Sequence, residues 1–171
     1  MNQGKRVGIV GAGNVGATVA YSLAMQGACH EIILRDNKID VAKGKALDMS
    51  QAASAVRSHT VVTVAEEMSD LKDCDVVVIT AGSPRLPGMS RDDLLTTNAK
   101  IMKSVAENVK QHAPNSIVII ISNPLDAMVT LFKKVSGFPA HRVLGQAGVL
   151  VRLLELAQPV LGEPVVAPYH H

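Results

Sequence analysis

Cysteine is scarce in this sequence: Cys29 and Cys74 are the two in 171 residues. They form no CxxC pair and are too few for a disulfide framework, which excludes a disulfide-stapled scaffold and fits a reducing, cytoplasmic setting. An excess of one charge is also lacking, since 17 basic and 15 acidic residues leave +2. That excludes the electrostatic footprint of a nucleic-acid or anionic-membrane partner. No uninterrupted run of about 18 apolar residues occurs, so no membrane span is expected. Lys5 and Arg6 precede an apolar stretch, but Gly8, Gly11, Gly13, Asn14 and Gly16 interrupt it too often for a signal peptide. Internal repeats, charge blocks and low-complexity linkers are absent as well. Apolar residues at 47% against 19% charged exclude a disordered chain.

What is present is an alternation. Short β-branched runs at 5–10, 31–35, 60–65, 75–80, 116–121 and 141–144 are separated by stretches with helical spacing. The runs at 76–79 and 117–121 are continuously apolar, which is how strands covered on both faces read. Helices are expected over 14–26, 38–54, 90–111 and 124–136. Ser90 and Asp93 have the spacing of a capping box. Asn123 is expected as N-cap of the last helix, with Pro124 at its first position and Gly137 at its stop. This order implies right-handed crossovers and an α/β fold built on a doubly wound parallel sheet. Residues 1–150 form the expected domain. After it, 150–158 allow one more helix, and 159–171, with three prolines, read as an irregular tail without room for a second domain.

Gly11-Ala12-Gly13-Asn14-Val15-Gly16 fits GxGxxG, and it follows a strand and opens a helix. There, backbone N–H groups and the helix dipole can receive a pyrophosphate. Gly11 allows the tight turn, Gly13 the approach of the phosphates, and Gly16 close packing of helix on strand. Asp36, directly after the second strand, can accept hydrogen bonds from the adenosine ribose and would repel a 2′-phosphate, so NAD is the expected cofactor. Arg35 beside it reads as a solvated residue at the strand end.

Further motifs stand in order: 44–49 (GKALDM), 81–91 (AGSPRLPGMSR), Asn98, 121–124 (ISNP) and 145–150 (GQAGVL). Together they resemble the malate and lactate dehydrogenase superfamily, in particular its lactate-dehydrogenase-like bacterial malate dehydrogenases, over residues 5–150. The resemblance implies a Rossmann NAD-binding domain whose loop after the fourth strand brings Arg85 and Arg91 to a small dicarboxylate. Guanidinium forks suit planar carboxylates, although composition alone would leave both arginines solvated on a loop. Arg85 would meet the distal carboxylate that distinguishes malate from lactate. By the same resemblance Asn123 touches the reacting oxygen and the nicotinamide, and Ile121 and Ser122 flank the cofactor beside it. Asn98 is either a cofactor contact or a plain surface position. A homo-oligomer is implied too, with the helix near 38–54 as a contact surface.

The resemblance stops at residue 150. The family's next aspartate and, three residues on, an arginine correspond to Val151 and Leu154. Arg152 is no substitute, lying about 200° around the same helix from position 154. No histidine sits in the glycine-flanked setting of the family's proton donor: His30, His59, His112 and His141 read as surface or strand-end residues, and His170 and His171 end the sequence. No catalytic residue and no metal site is therefore assigned. The expectation is an NAD-binding domain without its substrate domain, impaired in catalysis as this chain. A stand-alone NAD-binding module and a lactate-type fragment are the alternatives, the latter disfavoured by Arg85.

Overall fold

The computed structural model describes residues 4–84 and 87–146. Arg85, Val151, Arg152, Leu154, the helix at 150–158, the tail at 159–171 and the last two histidines lie outside the described residues.

Six strands form one sheet: β1 (Arg6–Val10), β2 (Glu31–Arg35), β3 (Val61–Ala65), β4 (Val76–Ile79), β5 (Ile117–Ile120) and β6 (Val143–Gly145). Every pairing is parallel, and the order is β3-β2-β1-β4-β5-β6. Four helices connect them: α1 (Asn14–Gln26), α2 (Ile39–Ala55), α3 (Arg91–His112) and α4 (Leu125–Ser136). The doubly wound sheet expected from the alternation is present. Strand parity explains the continuous apolar runs. Val7, Ile9, Ile32, Leu34 and Val78 face α1 and α2, where they meet Ala20, Ala24, Ala46 and Ala53. Ile33, Val77, Ile79, Val118 and Ile120 face α3 and α4, against Met102, Val109, Met128 and Phe132. Both faces are buried, so neither half of the alternation can be polar.

Three details depart from the sequence reading. A 3-10 turn over Met68–Leu71, capped reciprocally by Glu67 and Asp70, joins β3 to β4 where no element was expected. The last strand begins at Val143, because Ala140–Arg142 form a 3-10 turn closed by the Arg142 N–H donating to the Pro139 carbonyl at 3.0 Å. Asn123 is not the N-cap of α4. Pro124 has an extended ψ of 126° and itself occupies the cap position, so the helix starts at Leu125 and Asn123 stands one residue too early. The Asn123–Pro124 peptide is cis. By contrast Ser90 and Asp93 make the expected capping box, and Gly137 ends α4 in the left-handed conformation with φ 72°.

Both cysteines are buried and free. Burial pushes the Cys74 thiol up to about 11 and raises that of Cys29. Since the thiolate is the reactive form, a disulfide reagent at pH 8 should label neither quickly in the folded chain and both at once in denaturant. Rapid labelling of the native protein would contradict this packing.

Candidate functional site

The direction of winding reverses between β1 and β4, and this opens a crevice at the carboxyl edge of the sheet. The glycine turn lies there, and its three glycines are needed for three different reasons. Gly11 has φ 106°, in the left-handed region, and its N–H donates to the Arg35 carbonyl at 2.8 Å. A Cβ on Gly16 would stand 1.9 Å from the Gly11 carbonyl oxygen and 2.7 Å from the Thr80 hydroxyl, so α1 can approach β1 only without one. A Cβ on Gly13 would meet nothing within 4 Å. Gly11 and Gly16 therefore shape the turn, while Gly13 keeps space in front of it open. No side chain caps α1 and no acidic residue occupies its first turn, which leaves the positive end of the helix to a ligand.

Ala12 is held on both sides of its backbone. Its N–H donates to Asp36 Oδ2 at 2.7 Å, and its carbonyl accepts from Lys45 Nζ at 2.6 Å. Asp36 Oδ1 also accepts from the Lys38 N–H at 2.8 Å. The carboxylate expected to serve a ribose is thus part of the turn's own support, and Asp36 also lines the cleft. Lys45 stood in the 44–49 motif with no role read for it, and Thr80 was not singled out by sequence. Thr80 Oγ1 donates to the Gly11 carbonyl at 2.8 Å, and its partner, like that of Lys45, is a backbone atom far along the chain.

Side-chain amides and hydroxyls stitch the neighbouring loops together. Ser122, buried, donates to the Ala81 carbonyl at 2.6 Å. Asn98 is no surface position, being 3% exposed, and its amide is divided between two loops. Oδ1 accepts from the Ser83 N–H at 2.7 Å, while Nδ2 donates to the Asn123 carbonyl at 2.7 Å and the Ser83 carbonyl at 3.3 Å. Ile121 is half-buried and packs on the α1 side of the sheet. Asn14, Val15, Arg91 and the side chain of Asn123 are exposed at the same edge.

A cleft of about 740 Å³ runs past Gly11, Gly13 and Asp36 to a further end lined by Met68, Ile101 and Val105. Arg35 lines it too. The expectation of a solvated Arg35 is corrected: strand parity turns it to the same face as Ile33, half-buried. Its Nη1 donates to the Asp36 carbonyl, and its Nε is buried without a hydrogen-bond partner. An orphaned cationic donor beside an open glycine turn fits an elongated anionic ligand such as a dinucleotide. The described histidines lie elsewhere. His30 and His59 line a second cavity, of about 370 Å³, before β2 and β3. His112 ends α3 just before β5, and His141 precedes β6. All four described histidines sit at the amino edge, opposite the cleft.

Strand order, glycine turn and post-strand carboxylate define a dinucleotide-binding domain of the Rossmann class. Residues 5–145 match the family described as lactate/malate dehydrogenase, NAD binding domain, and the chain belongs to that family. NAD is its dinucleotide. The malate dehydrogenase of Sulfurimonas denitrificans is 70% identical over 164 residues, covering 95% of this chain and 51% of that protein. That of Nitratiruptor is 58% identical over 151 residues, covering 88% and 48%. Among solved structures, Cryptosporidium parvum malate dehydrogenase superposes with TM-score 0.85 at 43% identity, covering 94% of this chain and 52% of that one. The chain spans about half the length of the curated relatives it matches.

The glycines separate fold from ligand. Gly13→Val should leave circular dichroism unchanged and weaken NADH at least a hundredfold. Gly16→Ala should cost more than about 4 kcal/mol by urea melting, because its new Cβ meets backbone. Unchanged NADH affinity in the first variant would show that the open space is not the ligand's.

Proposed function

We propose that this chain is the cofactor-binding half of a malate dehydrogenase, acting on a small dicarboxylate with NAD as hydride carrier. The observation that carries the cofactor part is the open cleft in which Gly13 and Asp36 stand at the positive end of α1. Bound NAD would supply the hydride acceptor. In this reading the 11–16 turn holds the pyrophosphate, Asp36 the ribose, and 121–123 the region near the nicotinamide. Asn98 serves the cofactor indirectly, since its amide spans the two loops that border it.

The dicarboxylate rests on Arg85, Arg91 and Asn123, supported by the malate dehydrogenase names of relatives up to 70% identical. The resemblance brings two guanidinium groups to the substrate, which suits a molecule with two carboxylates. Residues 1–150 are the binding domain in this proposal, and 151–171 a divergent helix and tail. A cytoplasmic homo-oligomer is part of it, with α2 as contact surface, where Val41 and Leu47 are exposed.

Two outcomes test the reading. NADH should bind better than NADPH, and Asp36→Ala should narrow that gap while weakening NADH about tenfold, because the same carboxylate supports Ala12. Equal binding of both cofactors by the unmodified chain would remove Asp36 from the ribose. The purified chain, supplied with NADH and oxaloacetate, should turn over at least about a thousandfold below a typical enzyme's ~10 per second. The reason is that no described histidine is at the cleft to donate the proton. Turnover near ten per second would require a proton donor outside the residues argued above.

A further inference from the structure

We propose that Arg35 lets the ribose end of the cleft accept a 2′-phosphate, so that the chain binds 2′-phosphorylated adenine nucleotides alongside NAD. The inference rests on the dinucleotide reading of the cleft and names a residue that sets its selectivity.

Arg35 is the last residue of β2, flanked in the sheet by Val10 and Ala65, and it lines the cleft together with Asp36. Nη1 donates to the Asp36 carbonyl, which places the guanidinium beside the backbone of that residue. Among the described residues, Nε of Arg35 is a buried side-chain nitrogen that no acceptor meets. A buried charged donor without an acceptor is costly, and a ligand oxygen that draws the guanidinium toward it removes that cost. Lys100 lines the same cleft and adds a second cation.

The opposing group is weakened. Both oxygens of Asp36 already accept a backbone N–H, from Ala12 at 2.7 Å and from Lys38 at 2.8 Å. Those bonds offset part of the negative charge that a 2′-phosphate would face. An arginine beside the ribose carboxylate is the group that accommodates a 2′-phosphate in Rossmann sites, and a guanidinium fork suits phosphate oxygens. Cofactor preference is then a balance between adjacent residues. Asp36 favours the free hydroxyl, and Arg35 limits how far that preference goes.

The test uses 5′-AMP and 2′,5′-ADP, which differ only in the 2′-phosphate, titrated calorimetrically into the purified chain, with NADH as a control. The unmodified chain should bind 2′,5′-ADP more weakly than 5′-AMP, but by no more than about tenfold. Arg35→Ala should weaken 2′,5′-ADP about tenfold and 5′-AMP less than about threefold. Arg35→Gln, which keeps most of the side chain's length, should do the same if the alanine variant does not fold. Equal loss of both fragments would make Arg35 a base contact and overturn the proposal, as would no loss of either. A native preference for 5′-AMP beyond about a hundredfold would overturn it from the unmodified chain alone. Failure of the folded chain to bind 5′-AMP and NADH would instead overturn the dinucleotide reading beneath it.

Discussion

Helix α1 meets the end of β1 at a separation that a single methyl group would prevent. With 1.9 Å between a hypothetical Cβ on Gly16 and the Gly11 carbonyl oxygen, the contact is backbone against backbone. The position of α1 follows from it, and with that position the direction of its dipole. The Thr80 hydroxyl, bonded to that same Gly11 carbonyl, then sets how close β4 and its following loop can come. Strand order supplies a crevice, but this contact decides which backbone atoms face it.

The rest of the carboxyl edge is held by side chains that bond to backbone. Buried peptide groups in loops need partners that a sheet or helix would otherwise supply. Ser122, Asn98, Thr80, Asp36 and Lys45 provide them, each reaching from one segment to another. Loops crossed in this way act as one unit. A substitution at Asn98 would therefore disturb the 81–84 and 121–124 segments together, although its side chain lies behind the cleft.

Much of the architecture was legible because it depends on short-range pattern. β-Branched runs gave the strands, Ser90 with Asp93 gave a helix start, and Gly137 a helix end. The glycine turn and Asp36 were legible because their spacing reflects a geometry that few other residues satisfy. What escaped was long-range or conformational. Lys45 lies 33 residues from its partner and Thr80 lies 69, and a bond to a carbonyl leaves no trace in the partner's identity. Asn123 has the composition of a cap but not the position, since the backbone of Pro124 is extended. Arg35 was read by its charge, whereas the parity of β2 turns it inward.

The clamp on Ala12 also bears on how far the turn's charges are felt. One carboxylate and one ammonium grip opposite ends of a single residue, so together they carry no net charge and present a dipole to their surroundings. A dipole's field fades with distance faster than that of a lone charge. The turn is thus held firmly at close range while adding little to the long-range pull on an approaching anion. That pull falls to the cationic side chains Arg35 and Lys100 on the cleft, whose charges are the ones dissolved salt would screen, while α1, itself a dipole, acts at close range.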